Sequence, residues 1–381
     1  MKVEILSTFS GGGLLDIGFL NQGFQITKSV ENNGDFIEAY NSGISNYLKT
    51  TTRNLVVNNG ITFKKIEKEI DAGSYYFQDQ IAKEVNGVSG IIGGPPCQDF
   101  SNGGKHKGVT GERGRLIHSY LNIVSKISPD FIFFENVPSL YRTKFHQTAF
   151  YALVRRLQSN GYHVWYDVLN ALDYGVPQDR PRIALVGFKE EIVKKLVKNS
   201  FKLVDENKSS EELVFRWPKK KLISPKAIQW PRVWEFKGAI NKKEIDLIPK
   251  SYRGLTVIDA FNGLTVNSPN QSEHFEPYSD KFWTVGEGDT HSKSFKRLHR
   301  FRYSPTVAYG NNEVHLHPTK ARRLTVREAL RLQSVPDNYI LPTDLHLTAK
   351  FKLISNGVPT KKAELIAKEI RRTLEIYKKL K

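Results

Sequence analysis

Thr8-Phe9-Ser10-Gly11-Gly12-Gly13-Leu14-Leu15-Asp16 joins a strand-like run to a helix-like one through three consecutive glycines. An apolar run from Val3 to Phe9 leads into it, and a helical segment from Leu14 to Gln22 leaves it. Glycines at such a junction let the chain turn tightly from strand to helix and let a ligand approach the backbone. The spacing is not the G-x-G-x-x-G of dinucleotide sites, which argues against a nicotinamide dehydrogenase. The next apolar run, Gln25 to Glu31, ends in a carboxylate placed to accept hydrogen bonds from ribose hydroxyls.

Outward from this turn the first half alternates strand-like and helix-like segments. Further strands are expected at Gly90–Gly93, Phe131–Glu135, Gly161–Val168 and Arg182–Phe188, with helices around Gly114–Ile127 and Thr148–Asn160. That alternation predicts an α/β protein with a doubly wound, Rossmann-like sheet whose strand ends carry the site. After about Glu190 the texture changes to basic, Trp- and Pro-punctuated sequence with little periodicity. A helix is expected again at Thr325–Gln333, and a basic amphipathic one at Pro359–Leu380. The predicted division is a catalytic unit of residues 1–190 plus 340–381, and a smaller, irregular unit of residues 191–339.

Three further motifs lie at predicted strand ends. In Gly93-Gly94-Pro95-Pro96-Cys97-Gln98-Asp99-Phe100-Ser101, glycines and prolines stiffen a loop and hold the only cysteine of the chain in a fixed direction. A cysteine there reads as a nucleophile rather than a core residue. The Gly-, Lys-, His- and Arg-rich stretch from Asn102 to Arg115 reads as a flap able to close over a charged substrate. In Phe131-Ile132-Phe133-Phe134-Glu135-Asn136, a carboxylate ending an apolar strand is expected to be partly desolvated, which suits it to hold or donate a proton. In Asp173-Tyr174-Gly175-Val176-Pro177-Gln178-Asp179-Arg180-Pro181-Arg182, the two arginines are expected on opposite faces of an extended segment, one addressing a base or carboxylate, the other a phosphate or structural partner.

The 381 residues carry 57 Lys and Arg against 39 Asp and Glu, a net charge of +18 with pI near 9.6. The stretch Arg216–Arg327 holds 21 basic and 10 acidic residues, an excess of +11. So concentrated a charge points to a polyanionic partner. One cysteine excludes an internal disulfide and a thiolate metal cluster, and no metal site is expected. No apolar run approaches a membrane span, and no signal peptide is evident at the N-terminus. The expectation is a cytoplasmic, nucleoid-associated monomer.

Taken in order, these motifs resemble the cytosine-C5 DNA methyltransferases. The resemblance extends to Arg323-Leu324-Thr325-Val326-Arg327-Glu328-Ala329-Leu330-Arg331-Leu332-Gln333 with Pro336-Asp337, and to Ser355-Asn356-Gly357-Val358-Pro359. It therefore brackets nearly the whole chain. The unmatched part, about Lys189 to Arg302, stands where the family has its variable target-recognition region, closed by Ser304-Pro305-Thr306-Val307. Leu14 and Ser355 depart from the family, which usually has glycine at both places.

The resemblance implies S-adenosyl-L-methionine as methyl donor, bound by Phe9, Ser10, Gly11 and Gly13, with Glu31 on the ribose. Asp79 would contact the adenine, and Asn356 and Val358 would close the methionine side. It implies Cys97, Glu135, Arg180 and Arg182 as catalytic residues, with Pro96, Gln98, Ser101, Asn136, Gln178 and Thr306 meeting the substrate, a flipped cytosine in double-stranded DNA. Trp217, Trp230, Trp234, Trp283 and Tyr309 are further candidates for base or sugar contacts. Pairing with a restriction endonuclease follows from the same likeness. An RNA (tRNA) cytosine-C5 methyltransferase and a non-catalytic DNA-binding relative are the alternatives.

Overall fold

The computed structural model describes residues 2–54, 65–66, 72–85, 87–96, 115–199, 214–220, 228–292, 294–307, 309 and 314–380. Its first part runs β1 (Val3–Thr8), α1 (Leu14–Asn21), β2 (Phe24–Val30), α2 (Gly34–Asn54), α3 (Tyr75–Glu84), β3 (Gly90–Gly93), α4 (Arg115–Ile127), β4 (Phe131–Asn136), α5 (Ser139–Arg142), α6 (Lys144–Ser159), β5 (Tyr162–Asn170), β6 (Pro181–Lys189) and α7 (Glu190–Lys198). Short elements follow: α8 (Lys242–Asp246), α9 (Val257–Phe261), α10 (Lys281–Thr284), β7 (Lys296–Arg297) and β8 (His315–Leu316). The chain closes with α11 (Val326–Leu332), α12 (Leu347–Asn356) and α13 (Thr360–Lys379).

The six-stranded sheet has the order β2-β1-β3-β4-β6-β5. β1, β2, β3 and β4 are mutually parallel, whereas β6 runs antiparallel to both β4 and β5. All six expected strands are present, each within about two residues of its expected bounds. The order reverses at β1, which has β2 on one side and β3 on the other. Ligand crevices form at such switch points, outside the carboxyl ends of the strands.

Strand pleating sorts the core into two layers. Phe131 and Phe133 of β4, with Ile5, Ile92, Ala184 and Val186, face the helices α1, α2, α12 and α13. Ile132 and Phe134, with Leu6, Ile91, Ile183 and Leu185, face α3, α4 and α6. β4 is buried along its whole length, as a central strand covered on both faces should be. α1 and α13 approach closely: a Cβ on Gly18 would stand 2.5 Å from Ala363 Cβ and from the Glu364 amide nitrogen. This contact fastens the last helix of the chain to the first.

The second part is held differently. Its apolar clusters are small, one around Val257, Leu298, Val307, Leu324 and Leu332, another around Phe282, Val314 and Leu316. Buried arginines supply the missing order. Arg297 donates to the carbonyls of Phe282, Val285, His317 and Lys320 at 2.6 to 3.2 Å. Arg327 donates to those of Pro269, Pro336 and Tyr339. Irregular backbone leaves carbonyls without ladder partners, and a planar guanidinium with five donors satisfies several at once. Part of the +11 excess is therefore spent internally. His299, His315 and His317 add no charge at neutral pH, because burial pushes each down to about 3. Phe215 and the segment Val326–Tyr339 pack into the first part's core.

Candidate active site

The Gly-rich turn lies at the carboxyl end of β1. Phe9 and Gly11, each with φ 53°, and Gly13 with φ 80° occupy the left-handed region. A non-glycine residue there is uncommon and clusters at functional sites. Gly11 faces open space, whereas a Cβ on Gly13 would collide with Tyr40 and Ile44. Glu31 sits beside the turn, nearly buried. Its Oε2 accepts the Gly11 N–H at 2.8 Å, and its Oε1 accepts those of Asn32 and Asn33 at 3.0 and 3.1 Å. Burial raises its pKa above the ordinary carboxylate value, and those three N–H groups pull it back. An ionised carboxylate has about four acceptor sites, so capacity remains for hydroxyl donors.

Beneath the turn lies a polar knot. Asp16 is fully buried and accepts from the Ser7 hydroxyl at 2.7 Å and the Tyr40 hydroxyl at 2.8 Å. Burial pushes its carboxyl up to about 6, against the opposing pull of both hydroxyls. Leu14, where the family usually has glycine, is accommodated by Gly357, on which a Cβ would stand 2.4 Å from the Leu14 side chain. The space lost at one position is returned at the other.

Glu135 closes β4 on the face covered by α13, in phase with Phe131 and Phe133. Its antiparallel partner on β6 is Ala184, so Arg182 is its diagonal neighbour. Such diagonal pairs are within reach of long side chains. Arg182 Nε stands 3.6 Å from Glu135 Oε1. Lys362 Nζ, arriving from the first turn of α13, stands 3.7 Å from the same oxygen. The carboxylate is desolvated as expected, but its immediate company is cationic.

The opposite-face expectation for the two arginines is overturned. Residues two apart in an extended segment share a face, and both guanidinium charges act on Lys362. They do differ in task. Arg180 is buried and donates to the carbonyls of Val307, Ser355 and Gly357 at 3.2, 2.7 and 2.9 Å. It clamps the second part and the α12–α13 junction onto β6. Ser355, the other departure from the family, gives only its carbonyl to that clamp.

Asn136 donates to the Pro95 carbonyl at 3.1 Å and so holds the loop that leads to position 97. Pro96 is exposed; Cys97, Gln98, Ser101 and the expected flap at 102–115 fall outside the described residues, apart from Arg115, which begins α4. Gln178 is buried, donating to the Leu332 carbonyl and accepting the Val307 N–H. Thr306 donates to the Asp179 carbonyl at 2.6 Å. These two residues seam the second part to the strand carrying Arg182. Val358 is buried and Asn356 exposed at the end of α12. Asp79 is exposed on α3 and ion-paired to Lys126 of α4, which lowers its pKa.

Of the aromatic candidates, Trp234 is buried with its indole N–H on Glu244 at 3.0 Å, and Trp230 meets Tyr252 and Tyr303 edge-on. Trp217 packs on Phe215, and Tyr309 on Phe351 and His315. Trp283 is exposed. Sequence reading missed Lys362 altogether, since a lysine beside Lys361 in a basic helix reads as solvated surface.

A mixed sheet with a Gly-rich turn at its switch point, and a buried carboxylate between cations at the next strand end but one, defines the methyltransferase fold. Solved structures with that fold include a prophage-encoded DNA modification methyltransferase of E. coli (TM-score 0.59, 23% identity, covering 98% of this chain and 100% of that one). Another is the Dnmt2 methyltransferase of S. pombe (TM-score 0.58, 14% identity, covering 98% and 99%). The chain belongs to the C-5 cytosine-specific DNA methylase family, whose model matches residues 3–372. It is 40% identical to the type II methyltransferase M.NmeDI of Neisseria meningitidis serogroup C, over 99% of this chain and 84% of that protein. It is 30% identical to M.MthTI of Methanothermobacter thermautotrophicus, over 98% and 99%. The protein is a DNA (cytosine-5-)-methyltransferase.

Proposed function

We propose that this enzyme methylates carbon 5 of a cytosine within a specific double-stranded DNA sequence, through a covalent adduct with Cys97 on a base flipped out of the helix. The observation that carries this reading is the meeting of Glu135 and Arg182 beside the Pro95–Pro96 loop leading to Cys97. S-adenosyl-L-methionine, when bound, supplies an electrophilic methyl group. The residues at the switch point fit it: Gly11 leaves open space, and Glu31 keeps acceptor capacity for ribose hydroxyls. Phe9, Ser10 and Gly13 line the same turn, and Val358 and Asn356 lie at the α12–α13 junction. Asp79 is less well placed for an adenine contact, being committed to Lys126.

Carbon 5 of cytosine is a weak nucleophile. Attack of the Cys97 thiolate on carbon 6 makes it enamine-like. Glu135, carrying a proton, holds N3 and donates that proton to it, neutralising the negative charge that develops in the ring, and Arg182 hydrogen-bonds O2. Once carbon 5 carries the methyl group, loss of its proton to a base breaks the carbon 6–sulfur bond, expels the Cys97 thiolate and restores the aromatic ring. Arg180, whose guanidinium is spent on three carbonyls, positions the strand rather than touching the base. Flipping costs a few kcal/mol of unstacking, which phosphate contacts of a basic recognition unit offset. Residues 191–339 are proposed as that unit, with 1–190 and 340–381 as the catalytic one.

The relatives named as type II methyltransferases support a role in protecting host DNA from a cognate restriction endonuclease, and we propose that the enzyme acts as a monomer at the nucleoid. Bisulfite sequencing of DNA from expressing cells tests the reading. Unconverted cytosine confined to one sequence context is expected; its absence, or methylation confined to tRNA, would overturn it.

A further inference from the structure

Lys362 lies in Pro359-Thr360-Lys361-Lys362-Ala363, the first turn of α13. The fold buries it to 1% exposure, with its Nζ 3.7 Å from Glu135 Oε1 and no hydrogen bond of ordinary length among the described residues. Its electrostatic setting is unfavourable on nearly every side. A helix N-terminus repels a cation, and Arg180 and Arg182 add two guanidinium charges. Glu135 alone, from β4, opposes them. An apolar residue of similar volume would remove this penalty, so the position calls for a purpose beyond packing.

The orientation of Glu135 supplies one. Its Oε1 faces both Lys362 and Arg182, whereas its Oε2 lies toward Gly94, 3.7 Å from where a Cβ on that residue would stand. The carboxylate thus has a cationic edge and an edge on the loop leading to Cys97. Arg182 approaches Glu135 only through Nε, at 3.6 Å, and its Nη1 donates to the Pro181 carbonyl, so the buried carboxylate draws on a second counter-charge while Arg182 engages a base oxygen. We propose that Lys362 is a positioning residue for Glu135: its ammonium holds Oε1 and keeps Oε2 turned toward the target base while Arg182 engages that base. This deepens the reading of Glu135 and Arg182 given above and rests on it.

The competent form is the ammonium. Burial pushes Lys362 down to about 8, with Arg182 and Arg180 adding to the fall and Glu135 resisting it. The hold on Glu135 is therefore lost as pH rises through that value. Cys97 titrates in the opposite sense, its thiolate growing with pH.

The test is kcat, duplex Kd and the pH dependence of kcat for wild type, K362M, K362R, E135Q and the double variant E135Q/K362M. K362M is expected to lower kcat by about 10- to 100-fold, as misplacement of a reacting group does, with Kd within about twofold of wild type. K362R should regain most of kcat and lose the alkaline fall near pH 8, because a guanidinium keeps its proton there. Adding K362M to E135Q should change nothing further. Wild-type kcat and pH profile in K362M would overturn the proposal, as would an equal further loss in the double variant. Should K362M fail to fold, an unshifted alkaline limb in K362R would overturn it. E135Q with wild-type kcat would overturn the reading of Glu135 and this one with it, whereas a slow E135Q beside a normal K362M overturns only the assignment to Lys362.

Discussion

Gly18→Ala puts the seat of the last helix to the test. In an exposed helix the change would stabilise, by about 1 kcal/mol, since alanine exceeds glycine in helix propensity. Here the new methyl would stand 2.5 Å from both Ala363 Cβ and the Glu364 amide nitrogen, and 2.7 Å from the Ala363 carbonyl carbon. Carbon contacts are comfortable at about 3.5 to 4.0 Å, so α1 and α13 must part by about 1 Å. The opposing atoms are backbone and Cβ, which cannot rotate away. Overpacking of this kind costs about 1 to 3 kcal/mol, which exceeds or matches the propensity gain, and a net loss of about 1 kcal/mol is expected. Urea denaturation would read it as a lower midpoint at unchanged m. Because Lys362 adjoins Ala363, kcat should fall as well. A variant as stable as wild type with unaltered kcat would refute the claim that this contact sets the position of α13.

Asp16→Asn should alter the pH dependence of stability. The folded carboxyl titrates at about 6 against an ordinary 3.8, so the folded state binds the proton more tightly and gains stability as pH falls. Between pH 7 and 5 the wild type should gain about 1 kcal/mol over the variant; parallel curves would contradict this. Arg180→Met removes the donor to three carbonyls and should cost about 3 kcal/mol or more, with faster proteolysis between residues 303 and 307; an unchanged denaturation midpoint would remove its role as a clamp. Duplex binding should weaken steeply with salt if residues 191–339 dock on phosphates; a flat titration would speak against that.

The sheet was legible because its strands are short apolar runs bounded by Gly, Pro and charged residues, and β4 is apolar on both faces. α2 and α3 escaped notice: α2 buries a stripe of Phe36, Ile37, Tyr40, Ile44, Tyr47 and Leu48, but Gly43 and the Asn, Ser and Thr residues around it read as loop, and α3 has few apolar positions. Glu135 could be found from its place at a strand end. Its partners could not: Arg182 comes from a strand more than 40 residues on, and Lys362 from a helix that only tertiary packing brings back to the sheet. Arg180 and Gln178 illustrate the opposite problem. Their residue types and motif suggested substrate contact, but they donate to backbone carbonyls, Gln178 to Leu332 and Arg180 to Val307, Ser355 and Gly357. Sequence records which groups can hydrogen-bond, and burial decides where those bonds go.

The bond between Cys97 and carbon 6 can be trapped and located directly. A duplex carrying 5-fluorocytosine at the methylated position lacks the carbon 5 proton whose loss would release the enzyme. Incubated with protein and S-adenosyl-L-methionine, it should yield a denaturation-resistant protein–DNA adduct whose cross-linked peptide contains Cys97, and none with C97S. Normal turnover of ordinary DNA with no adduct on the fluorinated duplex, or an adduct at another residue, would contradict the account.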